Sequence, residues 1–412
     1  MQIKKNILIL TYWSYKDALI QTYTLPYVRI IRKIISDDSK IFFVTFENNF
    51  HAISPAENKK IKQQLADKNI SWISYSYRPL GVIALLKNIF SLVGLLWLCI
   101  SKKITHIHAW CTPAGSLGYV LSILTGKPLI IDSYEPHAEA MVENGTWNKN
   151  GIAYKLLLML EKLQSRRATT LIACSSGMKE YAFEKYQIDV AISFFTKPAC
   201  VNLDLFSFEK AMSESKYLRK KWLLKDKIVC VYAGKFGGIY LDQEIFHFIR
   251  VAAKYWGGKF RVLLLTNTSR EQIDHYAEKT GVNKEIIISQ FVEHKEIPGY
   301  LALADFAINP VKPVPTKKYC TSIKDGEYWA MGLPVVIPEN ISDDSDIIER
   351  NETGAILHAL DEENYLVAVK IIDALLNSTL LQKKKGEIRN IAKKFRGFEI
   401  AEKIYQQIYL HN

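Results

Sequence analysis

Residues 319–334, YCTSIKDGEYWAMGLP, concentrate side chains suited to holding an anion beside a sugar. Thr321, Ser322 and Lys324 lie in a loop expected to enter a short helix near Asp325 and Gly326, which Gly332 and Pro334 then end. The first turn of a helix has unpaired backbone N–H groups and a partial positive charge, which together favour an anion. Lys324 adds a full charge and Ser322 a hydroxyl donor. Glu327 is acceptor-only when ionised, so it suits the paired hydroxyls of a ribose. The constellation fits a nucleoside diphosphate; the plainer reading is an N-cap followed by an acidic first turn.

Two further groups have the right chemistry. Gly234 ends the strand-like run IVCVYAG and Gly237 and Gly238 follow it, and such glycines either let backbone approach a phosphate or simply make a turn. Lys235 sits inside that loop. In IDSYEPHAEAM (131–141), His137 follows a strand-like run together with Asp132, Glu135 and Glu139. Loops at the carboxyl ends of parallel strands face the ligand, so this polar cluster is a second candidate. Glu135 or Glu139 could serve as general base toward an acceptor hydroxyl, and nothing in the sequence selects between them.

Other motifs read as structural. His106 and His108 alternate along a strand. Ser175-Ser176-Gly177 lacks the Gly-x-Ser-x-Gly elbow, and Asp343, Asp344 and Asp346 lack calcium-loop spacing and read as solvated loop. The six cysteines include no Cys-x-x-Cys pair, so neither zinc nor a disulfide framework is expected, and a reducing compartment follows.

The elements that must position these residues alternate between strand and helix along the whole chain. Strands are expected at 6–12, 40–46, 70–76, 106–110, 128–134 and 170–176, then at 228–234, 261–267, 285–291, 305–311 and 334–340. Their short, continuous β-branched and aromatic runs suit parallel strands covered on both faces. Helical stretches fit between them, at 25–35, 58–66 and 153–166, then at 242–255, 270–280, 297–304 and 326–331. The fold class is therefore α/β, with two doubly wound Rossmann-like domains facing a central cleft as the natural ligand site. The expected boundaries are 1–205 for an acceptor-side domain and 206–383 for a donor domain. Residues 384–412 form a basic amphipathic helical segment expected to pack back on the first domain.

The run Lys324-x-x-Glu327-Tyr-x-Ala-x-Gly332-x-Pro334-Val-Val resembles the donor-binding signature of GT-B glycosyltransferases of family 4 (group 1). VYAGKFGG (231–238), EIPGYLALADFAINP (296–310), the stretch ending in Glu349-Arg-Asn-Glu-Thr-Gly354 and SSGMKEY (175–181) share the likeness. The resemblance implies a retaining, metal-independent hexosyltransferase with a nucleotide-diphosphate sugar as donor substrate and no cofactor. It makes Glu327 the ribose carboxylate, sets Lys235 against the diphosphate and places His137 near the sugar. Three departures stand out: Tyr319 replaces the family's first glutamate, Tyr240 falls where a second basic residue is usual, and Thr11-Tyr-Trp-Ser-Tyr-Lys-Asp17 replaces a glycine-rich loop. Lys324 is the substitute expected for the missing second charge. The same fold hosts nucleotide-sugar 2-epimerases, and Tyr319 also admits a non-catalytic saccharide-assembly component.

Charge completes the expectation. The 412 residues hold 54 Lys+Arg against 42 Asp+Glu, but residues 1–206 hold 24 against 15 and residues 207–412 hold 30 against 27. The first half's excess predicts an anionic partner, and without interleaved basic and aromatic motifs that partner is not a nucleic acid. An anionic membrane surface and a saccharide or lipid-linked acceptor fit, as in surface polysaccharide synthesis, with a cytoplasmic protein peripheral at the inner face. Residues 80–100, LGVIALLKNIFSLVGLLWLCI, are broken by Lys87 and Asn88, which leaves twelve apolar-dominated residues where a span needs about 20. A buried helix is the plain reading, and an interfacial helix with Lys87, Lys102 and Lys103 toward headgroups is the alternative. The amino terminus, MQIKKNILIL, has too short an apolar run for a secretory signal and reads as a first strand.

Overall fold

Strands β1 (Asn6–Leu10), β2 (Lys40–Glu47), β3 (Ile70–Ser76), β4 (His106–Trp110), β5 (Leu129–Tyr134), β6 (Thr170–Ala173) and β7 (Ser193–Thr196) form one parallel sheet, ordered β3-β2-β1-β4-β5-β6-β7. Strands β8 (Ile228–Ala233), β9 (Phe260–Leu265), β10 (Ile287–Gln290), β11 (Phe306–Ile308), β12 (Val335–Pro338) and β13 (Gly354–Leu357) form the other, ordered β10-β9-β8-β11-β12-β13. The computed structural model describes residues 4–77, 82–189 and 191–410. In both sheets the first strand is central and the order reverses beside it, so each has a switch point where loops at the carboxyl ends part.

Burial follows from helices covering both faces: residues 41–46 of β2 and residues 229–233 of β8 are all buried. Helices add to this through one apolar face. In the helix Gln243–Trp256 the residues Ile245, Phe246, Phe248, Ile249 and Ala252 are buried, and the Asp242 carboxylate accepts from the Gln243 N–H at its start. The edge strands β7 and β13 add one strand to each sheet beyond the sequence expectation. Each has only four residues, and β13 opens on Gly354, where a Cβ would stand 1.9 Å from the Val335 carbonyl oxygen of β12. Only glycine permits that approach.

Two compact units divide the chain, residues 1–197 with 399–412 and residues 198–398. The first boundary therefore falls at Lys197–Pro198 rather than at 205. The segment expected as one piece from 384 is shared: the helix Leu381–Arg396 belongs to the second unit, whose core takes Ile388, Ile391 and Ala392. The helix Phe398–Leu410 returns to the first unit, where the Tyr405 hydroxyl donates to Asp132 at 2.7 Å and the Tyr409 hydroxyl lies 2.7 Å from His108 Nδ1.

The helix Val82–Ser101 is not buried all round. Leu95, Leu98 and Cys99 are buried, but Phe90, Val93, Trp97 and Ile100 are exposed. Leu80 and Gly81 lie outside the described residues, as do the side chains of 82–89. No single helix among the described residues is long and apolar enough to cross a membrane.

Candidate functional site

In the second unit the chemistry gathers at the switch point between β8 and β11. The loop after β8 pairs with the segment after β11: the Leu241 N–H donates to the Pro310 carbonyl at 2.7 Å, the Lys312 N–H to the Ile239 carbonyl at 3.0 Å, and Tyr240 bridges to Val311. The helix Ile323–Ala330 follows, starting three residues earlier than the range 326–331 expected, so Lys324 lies in its first turn. Ser322 is the N-cap residue, yet its buried hydroxyl makes no cap hydrogen bond and has no partner among the described residues. An unsatisfied donor at a helix start fits an anion better than it fits the plain cap.

Lys324 reaches back over the loop after β8. Its Nζ donates to the Tyr240 hydroxyl at 2.7 Å and stands 4.1 Å from the centroid of that ring. A Cβ on Gly234 would lie 2.6 Å from Lys324 Cε and 2.7 Å from the Tyr232 hydroxyl. Gly234 is thus glycine because the lysine stem crosses it. Gly237 and Gly238 have φ of +77° and +64°, so they serve the turn itself. Lys235 is exposed, and its carbonyl accepts from the Tyr232 hydroxyl at 2.6 Å. Tyr240, where the resemblance expects a second basic residue, therefore holds Lys324, the residue expected to supply that charge.

One turn along the same helix, Glu327 is almost wholly buried, with its Oε1 2.9 Å from His294 Nε2. With the carboxylate ionised, the imidazole donates. His294 follows the carboxyl end of β10 and packs edge-on to Phe206, with ring centroids 5.5 Å apart. Sequence reasoning missed His294, whose only signal was its place after a strand. It also missed how this helix is anchored. Asp325 is fully buried and accepts from Asn309 Nδ2 at 2.7 Å. Burial pushes its carboxyl well up, and the neighbouring Asp344 adds to that.

Asp344 itself corrects the solvated-loop reading of the acidic run. It is buried at the start of the helix Asp344–Asn351 and pairs with the buried Arg396 guanidinium, which lies over the Trp329 ring. Among the described residues no group of three or more His, Cys, Asp or Glu has the arrangement of a metal site. All six cysteines are free thiols, and five are buried.

In the first unit the cluster after β5 separates into different roles. His137 opens the helix His137–Glu143, with its Nδ1 3.7 Å from Glu135 Oε1 and both side chains about a quarter exposed. Glu139 is committed elsewhere: it accepts from the Tyr181 hydroxyl and pairs with Lys185 Nζ at 2.8 Å. Asp132 is no ligand-facing residue, because it is fully buried on β5 beside Lys197 Nζ at 3.1 Å and His108 Nε2 at 3.4 Å. Burial alone would raise its carboxyl, but Lys197, His108 and Tyr405 outweigh that and hold it at about 2. His108 is structural as expected, stacked on Trp110 with centroids 4.5 Å apart.

Glu161 carries the His137 helix from below. One carboxylate oxygen accepts from the Ala138 N–H at 2.8 Å and the other from the Tyr186 hydroxyl at 2.9 Å, and burial raises the group to about 7.

In a doubly wound unit the switch point beyond the carboxyl ends of the strands is where a ligand binds, and here it carries basic side chains and a carboxylate. Residues 228–376, which hold Lys235, Lys324 and Glu327, match the family model described as glycosyl transferases group 1. The capsular polysaccharide biosynthesis glycosyltransferase CapM of Staphylococcus aureus is 22% identical over 356 residues, which cover 84% of this chain and 86% of that protein. Among solved structures, Anabaena Alr3699/HepE in complex with UDP superposes with a TM-score of 0.71 at 14% identity, covering 98% of this chain and 99% of the other. WaaG, a glycosyltransferase involved in lipopolysaccharide biosynthesis, does so with a TM-score of 0.67 at 12% identity, covering 98% and 100%. The chain has the GT-B glycosyltransferase fold, and its second unit resembles the group 1 enzymes across the stretch that carries the site. Glycosyl transfer is the activity this likeness supports.

Proposed function

We propose that the protein is a retaining glycosyltransferase that moves a sugar from a nucleotide-diphosphate donor to a saccharide or lipid-linked acceptor in surface polysaccharide synthesis. The observation that carries this is Lys324 lying across Gly234 at the switch point, with Glu327 one helical turn beyond it. In this reading Glu327, held by His294, takes the ribose hydroxyls. Lys324, the exposed Lys235, the Ser322 hydroxyl and the first-turn amides take the diphosphate. Charge on the departing diphosphate grows as the glycosidic bond breaks, so these fixed donors stabilise an oxocarbenium-like transition state more than the ground state. The lysines supply the countercharge, and no metal or cofactor enters the proposal. His137 is assigned to the transferred sugar and Glu135 or Glu139 to the acceptor hydroxyl. CapM's capsular role and the UDP and UDP-glucose complexes of HepE support the substrate class. The proposed setting is the cytoplasmic face of a membrane.

A thermal-shift panel of UDP-, GDP-, ADP- and dTDP-sugars tests the donor, because a ligand that binds only the folded state raises the midpoint. One base is expected to stand out, and no shift with any of them would count against the reading. Tyr319, where group 1 enzymes usually have a glutamate, favours a second reading as a non-catalytic saccharide-assembly component, and the fold also admits a nucleotide-sugar 2-epimerase. Incubation with the stabilising nucleotide sugar alone separates these: formation of an epimer without acceptor would replace the transferase reading.

A further inference from the structure

The helix Val82–Ser101 carries an apolar stripe that the first unit does not cover. Phe90 is 76% exposed, Val93 57%, Trp97 66% and Ile100 69%. Their spacing of three, four and three residues places them on one helical face. The helix Cys111–Thr125 packs beside it and adds Ile123 and Leu124, both more than half exposed. Single exposed apolar residues are ordinary, but six on two adjoining helices make a patch that marks a contact surface.

Charge selects the occupant. Residues 68–131 contain no Asp or Glu, whereas they hold Lys68, Arg78, Lys87, Lys102, Lys103 and Lys127. These six account for most of the first half's excess of nine positive charges. Lys102, Lys103 and Lys127 gather where the stripe ends. Lys4, Lys40, Lys102 and Lys103 line one cavity at the amino ends of β1, β2 and β4, and Lys103 and Lys127 line a second with Ile100 and Leu124. A second copy of the chain would bring two such basic surfaces together, which like-charge repulsion opposes. A bilayer of anionic lipid offers hydrocarbon for the stripe and phosphates for the lysines.

We propose that this face of the first unit, Phe90, Val93, Trp97 and Ile100 with Lys102 and Lys103, seats the protein on an anionic membrane surface. The inference deepens the proposed function by naming the surface that reaches a lipid-linked acceptor, and it rests on that reading only for its purpose. A second apolar row, Ile152, Leu156 and Met159 on the helix Ile152–Arg167, lies on the same unit and serves as the comparison.

The test is co-sedimentation of the full chain with vesicles of phosphatidylcholine alone or with about a third phosphatidylglycerol. Circular dichroism and the thermal midpoint check the fold of each variant. The wild type is expected to bind the anionic vesicles and to leave the neutral ones. Phe90→Ser with Trp97→Ser should cut the partition coefficient at least tenfold. Lys102→Gln with Lys103→Gln should cut it by about fivefold per lysine and shallow its salt dependence. Ile152→Ser with Met159→Ser should leave it unchanged. Equal binding to neutral vesicles, retained binding by the Phe90/Trp97 variant, or loss only in the Ile152/Met159 variant would overturn the assignment. So would a wild-type dimer that the Phe90/Trp97 variant dissolves. Calorimetry of the same proteins with UDP and GDP keeps the two claims apart: lost vesicle binding with intact nucleotide binding removes this surface alone, and the converse removes the donor site alone.

Discussion

His294 and Glu327 illustrate how the candidate site is made at the level of single side chains. The carboxylate is buried, and its orientation depends on one imidazole donor 2.9 Å away on a different loop. A double-mutant cycle with His294→Ala and Glu327→Gln should therefore show coupling of about 1 kcal/mol in donor affinity, roughly a fivefold factor. Strict additivity would mean that His294 does not position the carboxylate. The individual chemistry of Lys324, Glu327, Ser322 and Lys235 was legible in the sequence, because charge and hydrogen-bonding capacity belong to the residue type. Their partners were not legible. Tyr240 is 84 residues from Lys324 and Arg396 is 52 from Asp344, and no local pattern encodes such distances. Asp132, read as facing a ligand, and Asp344, read as solvated, were misread for the same reason: an acidic residue counts as accessible until its buried cation is seen.

Elements were easier to anticipate than partners, because continuous apolar runs encode parallel strands that are covered on both faces. What escaped was short or at an edge. β7 and β13 have four residues each, and one opens on a glycine required by its neighbour rather than by its own propensity. The closing helix Phe398–Leu410 shows the opposite case, in which buried polar groups fix an element. Asp132 joins Lys197, His108 and Tyr405 in a site without solvent. Lys197→Ala should destabilise the first unit by about 3–5 kcal/mol in urea unfolding, since it leaves a buried carboxylate uncompensated. Asp132→Leu with Lys197→Met should cost distinctly less, and equal losses would show that packing rather than charge dominates.

The helix bearing His137 depends on Glu161, and here pH is the probe. Its carboxyl lies at about 7 in the folded protein against the usual 4.5, so the folded state holds a proton that the unfolded chain has released. The group's contribution is fully present below about pH 4.5 and is lost as pH rises through about 7, a change of about 3 kcal/mol. Glu161→Gln should therefore lose less stability than the wild type between pH 4.5 and 7.5. Parallel curves for the two proteins would mean that Glu161 ionises normally.

At the scale of the whole molecule, the chain leaves its first unit at Lys197 and returns to it after Phe398, so a polypeptide read as two successive domains is interleaved at its end. Fold class and the run of strands were readable from alternation alone, and a return of the closing segment was expected, but the point where it divides was not, because residues 381–410 are one basic, apolar-periodic stretch whose division is set by which core each part fills. The charge asymmetry also gains a physical meaning. The nearly balanced second half holds its candidate anion site with a few placed groups, while the first half's excess is concentrated in a stretch without a single acidic residue. The central claim is that the second unit binds a nucleoside diphosphate through Lys324. Isothermal titration of UDP and GDP into the wild type and Lys324→Ala measures it directly. One nucleotide should bind the wild type and bind the variant about 10- to 100-fold more weakly, the value of a charge-assisted hydrogen bond. Undiminished affinity in the variant, or no binding of either nucleotide to the wild type, would contradict the account.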